Sequence, residues 1–347
     1  MNKNKLIDKP LKYRKLVPMA RPVTICSGQF GDLPFDELCK LMGNIGYDGI
    51  EVACAAHVDI SKVLSDDSYV RKFLETLDTH GLKVWALGAH LIGQCVGDNW
   101  EPRLDSFAPN HLSGNPERIR TWAIEEMKNV ARAAQILGVK IVTCFVGSPI
   151  WQYWYSFPHT PKEMVDAGFS QIKELWDPIL DVFDECGVRL AHEVHPAEIA
   201  FDYYSTKRLL ETFEYREALG INFDPSHLVW QGVNPTVFLK DFSQNIYHVH
   251  MKDTKITLDG RAGILGSHID FGDTRRGWDF VSVGHGNVDF DEIIRELNQM
   301  NYTGPLSVEW EDSGMDRVFG ATEALEYCRK INFSASMIKF DETLKTE

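Results

Sequence analysis

The sequence predicts an α/β protein, a single (β/α)8 TIM barrel with long loops after its third, fourth and seventh strands. Three observations predict this fold. Short apolar runs alternate with helical patterns, eight such strand–helix units follow one another, and no linker or low-complexity segment divides the 347 residues. Strands that are apolar throughout are typical of parallel sheets covered by helices on both faces, and eight of them close a barrel.

The units can be placed along the chain in order. The predicted strands are 23–28, 49–54, 82–91, 139–147, 188–194, 219–224, 246–252 and 305–311. The clearest helix follows Asn115 and Pro116, a typical N-cap and first-turn pair, and ends before Gly138. We expect an N-terminal arm over 1–20, the barrel over 21–335 and a tail over 336–347. The long loops are the polar stretch 93–114, the aromatic segment near 151–157 and the insertion 253–288.

Composition and charge limit the function classes. Apolar residues make up 44% of the chain and charged residues 25%, as in globular proteins. The net charge of -14 argues against nucleic acid as a partner. Seven cysteines without CxxC spacing predict reduced, mostly buried thiols in a cytoplasmic protein. No apolar run suits a signal peptide or a membrane span. The basic arm predicts a contact with another subunit, and thus an oligomer.

Potential metal ligands follow four consecutive predicted strands. Glu193 ends the fifth strand, Asp224 the sixth, His250 lies near the end of the seventh and Glu309 near the end of the eighth. Functional groups of TIM barrels lie at these carboxyl ends, which converge on one axis. Three carboxylates and one imidazole suit Mn²⁺ best, with Mg²⁺, Co²⁺, Fe²⁺ or Zn²⁺ as alternatives. The alternative, four separately satisfied polar residues, is weaker because buried charges are costly when unpaired.

Other side chains are candidates for catalysis or substrate binding around this centre. His90 lies at the end of the third strand and His57 follows the second, with a capping or packing role as the alternative for each. His195 points to the same side as Glu193, by the alternation of a regular strand. Lys252 lies on the face of His250 and is predicted to bind a sugar oxygen, unless it pairs with Asp253 or another acid.

Two loops supply further candidates for substrate binding. Trp151 and Trp154 belong to a run of aromatic residues without core spacing, which favours stacking on a sugar or aryl face, or a subunit contact. Arg275 and Arg276 in the insertion are predicted to hold an anionic group bidentately. The alternative is that they fix the loop to neighbouring acids.

Five strings carry a resemblance to a known family: HEVHP, FDPSHL, HVHMKD, GHGNVDF and LSVEWE. They resemble the xylose isomerase-like TIM-barrel sugar phosphate isomerase/epimerase superfamily over about residues 23–333. The resemblance implies that Glu193, Asp224, His250 and Glu309 bind the metal and that Glu193 and Glu309 also act as acid and base. It further implies that His227 contacts substrate or metal. The string GILGSHIDFGDTRRGWDF is similar to the catalytic α subunits of bacterial C-glycoside deglycosidases, which pair with a small β subunit.

Three functions follow from this site. The first is a lyase that cleaves 3-oxo-glycosides: a chelated keto-sugar loses a proton, forms an enediolate and expels its substituent. The second is a sugar isomerase, an epimerase or an inosose-type dehydratase. The third is an endonuclease IV-like DNA repair enzyme. The third is disfavoured by the net charge and because the expected Asp-x-His occurs only reversed, at His268-Ile269-Asp270.

Overall fold

A computed structural model of the chain describes residues 21–336, and in this range eight parallel strands close a barrel. The predicted fold is confirmed. The barrel strands are β1 Val23–Cys26, β2 Gly49–Ala53, β3 Lys83–Gly88, β4 Ile141–Cys144, β5 Arg189–Glu193, β6 Leu219–Phe223, β7 Ile246–Met251 and β10 Leu306–Val308. Closure comes from the pairing of β1 with β10, for instance Ile25 with Val308. Within the described range, no helix has the length and apolar character needed to cross a bilayer.

Helices surround the barrel and cover its apolar outer face. They are α1 Phe35–Ile45, α2 Ile60–Ser65, α3 Asp67–Thr79, α4 His90–Gly97, α5 Pro116–Leu137, α6 Lys162–Cys186, α7 Tyr203–Thr212, α8 Pro225–Val229, α9 Pro235–Asp241, α10 Phe290–Gln299 and α11 Arg317–Ile331. The boundary signals of α5 act as expected. The Asn115 side chain accepts a hydrogen bond from the Arg118 amide, and Gly138 ends the helix with a positive φ of 72°.

The segment after the third barrel strand differs from the prediction. The strand was expected to continue to Leu91, but β3 ends at Gly88 and α4 begins at His90. An apolar run of this length does not distinguish a strand from a buried helix. Gly93 makes the helix possible, because it allows α4 to lie directly against the Phe145 carbonyl that follows β4. His90 is therefore a residue of the first helical turn.

The insertion after β7 contains an antiparallel hairpin, β8 Asp253–Ile256 and β9 Trp278–Val281. The buried Asp253 carboxylate holds the base of the hairpin. It accepts hydrogen bonds from the amides of Thr254, Gly284, Gly286 and Val288 at 2.8–3.1 Å. The hairpin thus has a fixed position at the mouth of the barrel.

The prediction of mostly buried cysteines is confirmed, since all seven thiols are buried and unpaired. The predicted arm, 1–20, lies outside the described residues. So does the predicted tail except for its first residue, Ser336.

The close contact of α4 gives a stability prediction. A Cβ added at Gly93 would lie 2.0 Å from the Phe145 carbonyl oxygen, whereas one at Gly263 would have no neighbour within 4 Å. We expect Gly93→Ala to lower the free energy of unfolding by about 2 kcal/mol, as overpacking typically does. Gly263→Ala should leave it nearly unchanged. Urea unfolding of both variants measures this, and equal stabilities would contradict the packing described for α4.

Candidate metal centre

Four side chains from the carboxyl ends of neighbouring strands meet at the mouth of the barrel. Glu193, Asp224, His250 and Glu309 each place one ligand atom within 4.8 Å of the others. His250 Nδ1 lies 3.1 Å from Glu309 Oε2, 3.3 Å from Glu193 Oε2 and 3.8 Å from Asp224 Oδ2. The structure thus brings together the four residues that the sequence predicts as ligands.

The donor set of this cluster fits a divalent cation. Asp224 Oδ2 is buried without a hydrogen-bond partner, while Oδ1 accepts from the amide and hydroxyl of Ser226. One oxygen of the carboxylate thus caps α8, and the other is left for a ligand. Three carboxylates in a space of this size repel one another and lose their hydration. A bound cation offsets both of these costs. Oxygen donors with one imidazole suit a metal ion such as Mn²⁺ or Mg²⁺.

The charged and hydrogen-bonding neighbours of Glu193 and Glu309 keep these two carboxylates ionised. Burial favours a raised pKa for Glu193, but the charge of His250 and hydrogen bonds from neighbouring histidines hold it well below its ordinary value. Burial also opposes ionisation of Glu309, and the nearby Lys252 ammonium lowers its pKa below the usual range. Ionised carboxylates are the form that binds a cation.

Three further histidines surround the cluster. His90 Nε2 lies 3.1 Å from Glu193 Oε2. His227 Nε2 lies 3.3 Å from Glu193 Oε1, yet neither of its ring nitrogens makes a hydrogen bond. The His195 ring centroid is 4.1 Å from that of His227. Burial lowers the pKa of His195 well below its ordinary value, so its imidazole is neutral.

Lys252 adds a buried ammonium group at the edge of the cluster. Its Nζ lies 3.1 Å from both Glu309 Oε2 and Glu311 Oε1, and 4.3 Å from the centroid of the Phe280 ring. Burial lowers its pKa, but the charges of Glu309 and Glu311 outweigh this and raise it well above the ordinary value. The predicted alternative, an ion pair with Asp253 or another acid, is met by Glu309 and Glu311. The Asp253 carboxylate is instead taken up by backbone amides.

Sequence reasoning missed several polar residues beneath and beside the cluster. Glu51 of β2 is fully buried and hydrogen bonded to both His248 and His250. Asn222 Nδ2 donates to Glu193 Oε2 at 2.9 Å, and Gln29 Nε2 lies 3.3 Å from Glu309 Oε1. A single carboxylate inside the apolar run GIEVA was the available signal for Glu51, because a buried charge requires partners.

Comparison with known proteins identifies the family. The family model described as "Xylose isomerase-like TIM barrel" matches residues 39–331. The chain belongs to this family. Its relatives include an uncharacterized protein, YfiH of Bacillus subtilis, 25% identical over 85% of this chain and 94% of YfiH. An inosose dehydratase of Clostridium botulinum is 36% identical over 26% of this chain and 29% of that enzyme.

Solved structures of several other proteins share the barrel. The E. coli 3-keto-D-glucoside 4-epimerase YcjR has a TM-score of 0.63 at 15% identity, covering 89% of this chain and 99% of its own. The probable 3-DHS dehydratase AsbF of Bacillus anthracis has a TM-score of 0.62 at 18% identity, covering 89% and 98%. The IOLI protein, solved with a zinc atom, has a TM-score of 0.59 at 20% identity, covering 89% and 96%. At these identities the likeness is one of fold.

Three predicted substrate-binding residues have structural roles in this xylose isomerase-like chain. His57 Nδ1 lies 3.0 Å from Ser27 Oγ, and its Nε2 lies 3.1 Å from the Leu33 carbonyl oxygen. Both ring nitrogens therefore have partners inside the protein, as the packing alternative predicts. Arg275 is exposed and pairs with Asp273 two residues earlier.

Arg276 is buried, and its contacts lie within the insertion. It donates to the carbonyls of Gly266 and Ile269 and stacks against Phe271 and Trp278. These contacts favour the loop-fixing alternative, through an acid for Arg275 and through backbone carbonyls for Arg276. Anion binding by this arginine pair remains a prediction.

In the aromatic loop after β4, some side chains pack against the protein and others are exposed to solvent. Trp151 and Trp154 both place their rings edge-on against Phe201, with centroids 5.4 and 5.0 Å away. Tyr155 and Phe157 instead project outward, with 85% and 98% of their surface exposed. The tryptophans thus line the loop that follows β5, and substrate contact by either remains a prediction.

One carboxylate oxygen of Asp224 caps α8 and the other faces the cluster, so a substitution can separate the capping role from the ligand role. Asp224→Asn keeps an oxygen for Ser226 but replaces the free oxygen with an NH₂ group. We expect the variant to fold and to bind Mn²⁺ far more weakly, by more than the roughly 10–100-fold that loss of a supporting contact costs. Chelator competition measures the affinity. Without metal, its Tm should equal or exceed that of the parent, because one repulsive charge is gone.

Asp312 offers the matched control for this substitution. Its oxygens likewise accept backbone hydrogen bonds, from Ser282 and Gly314, and it stands outside the cluster. Asp312→Asn should keep the parent's Mn²⁺ affinity. Equal losses in the two variants would contradict the assignment of Asp224 as a ligand.

Proposed function

We propose that this protein is a divalent-metal-dependent carbohydrate enzyme that removes the proton next to the carbonyl of a keto-sugar and expels the substituent on the following carbon. The observation that carries the proposal is the cluster of Glu193, Asp224, His250 and Glu309, flanked by a neutral imidazole and a buried ammonium group. A divalent cation, Mn²⁺ by preference, held by these four residues would supply Lewis-acid polarisation of the carbonyl.

The proton transfers are assigned to two groups with opposite protonation states. His195, neutral beside the cluster, is suited to accept the proton from carbon, and His227 and His90 are suited to orient substrate oxygens. Lys252, held charged by Glu309 and Glu311, is suited to hydrogen bond to the leaving group. Glu193 and Glu309, expected from the family resemblance to exchange protons, have lowered pKa values that favour ligand roles.

The preferred substrate class is a 3-oxo-glycoside. In that reaction the C2–H and C1–aglycone bonds break, a C1–C2 double bond forms, and the aglycone leaves with a proton. The aromatic surface of the insertion supports a flat leaving group. The Phe280 ring lies 5.3 Å from His227 and 5.5 Å from Phe271 between centroids, and half of the Phe271 surface is exposed. The proposal includes a partner chain, a small β subunit or a second copy.

The second candidate is a dehydratase that acts on a free keto-polyol. It is favoured by the 36% identity to an inosose dehydratase over 89 residues. The same groups would serve, because a hydroxyl then leaves as water in place of an aglycone. The likeness in fold to a keto-glucoside epimerase and a probable dehydratase supports both candidates equally.

The experiment compares the two substrate classes directly. The Mn²⁺-loaded protein is incubated with an aryl 3-oxo-glucoside and, separately, with an inosose. Metal-dependent release of the aryl alcohol supports the lyase. Loss of water from the inosose alone supports the dehydratase, and proton exchange with solvent without elimination supports an epimerase. No reaction and no exchange with any ketone would contradict the whole proposal.

The role of His195 gives a kinetic prediction. We expect His195→Asn to lower kcat by roughly 10²–10⁴-fold, the usual contribution of a general base, without weakening Mn²⁺ binding. His159→Asn, at an exposed position of the loop after β4, is the matched control and should retain full activity. A drop in metal affinity that parallels the drop in kcat would instead make His195 a ligand.

A further inference from the structure

A buried hydrogen-bond network lies directly beneath the candidate metal centre. Its central residue is Glu51, which is fully buried in β2 and whose carboxylate faces the barrel axis. Thr143 Oγ1 of β4 donates to Oε1 at 2.6 Å, and Ser307 Oγ of β10 donates to Oε2 at 2.8 Å. Two histidines of β7 complete the set, with His248 Nε2 at 2.8 Å and His250 Nε2 at 3.1 Å from Oε2.

This network is not a second metal site, although Glu51, His248 and His250 place ligand atoms close together. Both carboxylate oxygens already accept hydrogen bonds from hydroxyl groups. A cation at Glu51 would have to displace the Thr143 and Ser307 donors in a fully buried space. It would also compete for His250 with three carboxylates on the other side of the ring.

A metal at the cluster would require one ring nitrogen of His250 to lose its proton, and the contacts of the ring decide which one. The ionised Glu51 carboxylate has no hydrogen to donate, so its short contact keeps the proton on Nε2. The lone pair then lies on Nδ1, the nitrogen that is 3.1–3.8 Å from Glu309, Glu193 and Asp224. Imidazole binds metals through an unprotonated nitrogen, and the hydrogen bond of the other nitrogen decides which one that is.

We infer that Glu51 is a positioning residue for the metal centre, which holds the His250 ring with Nε2–H toward itself and Nδ1 toward the metal. The inference rests on the proposed function, because it presumes a metal at the four-residue cluster. Glu51 joins β2 to strands β4, β7 and β10, so it also fixes the orientation of the ring relative to the other ligands. It lies at His250 Nε2, on the side of the ring away from the four-residue cluster, so it would touch neither metal nor substrate.

The test replaces Glu51 with its closest neutral analogue. In Glu51→Gln the amide group can donate to His250 Nε2, which moves the ring proton to Nδ1, the atom aimed at the cluster. We expect the Kd for Co²⁺ to rise roughly 10–100-fold and the visible absorption bands of bound Co²⁺ to shift. Thr143→Val removes another hydrogen bond from the same carboxylate and should leave both the Kd and the spectrum near those of the parent.

The outcomes separate this inference from the proposed function. If the parent protein binds no Co²⁺, the proposed function fails and the inference fails with it. If the parent binds Co²⁺ and the two variants have the same Kd and spectrum as each other, only the role of Glu51 is overturned.

A crystal structure of the parent protein with Mn²⁺ gives a test without variants, should either substitution prevent folding. We expect Mn²⁺ on His250 Nδ1, with Nε2 still at hydrogen-bond distance from Glu51. Coordination through Nε2 would overturn the inference.

Discussion

Three carboxylates and one imidazole share a small, largely buried space at the mouth of the barrel, and this concentration of charge constrains everything around it. Each carboxylate loses hydration on burial and is repelled by the other two. The protein offsets part of this cost with Lys252 and with hydrogen bonds from His90 and Asn222. One oxygen of Asp224 still has no partner, and a cation would complete the balance.

The barrel is the reason that these charges meet. In a closed parallel sheet every carboxyl end faces the same opening, so β5, β6, β7 and β10 deliver one ligand each. The layer below is polar as well, since Glu51, Thr143, His248 and Ser307 are fully buried in the strands. In the proposed mechanism the upper layer would orient the substrate and Glu51 of the lower layer would orient His250. The Asp253-anchored hairpin places Phe280 beside His227 and Lys252.

Much of this arrangement could be predicted from the sequence, because strand periodicity and strand ends are local signals. The barrel, the four-residue cluster and the positions of His195 and Lys252 followed from that pattern. The roles of Arg276 and His57 did not follow, because they depend on loop contacts that no local pattern encodes. His90 was assigned to a strand because a short apolar run suits a strand and a buried helix equally. Glu51 was overlooked because it interrupts an apolar strand in its middle, away from the expected position at the end.

The metal content of the purified protein tests the central claim most directly. After dialysis against a weak chelator and reconstitution with Mn²⁺, elemental analysis should find one bound divalent ion per chain. A protein that folds normally and retains no divalent ion in a stoichiometric amount would contradict the account. The four side chains would then be a set of buried charges balanced in some other way.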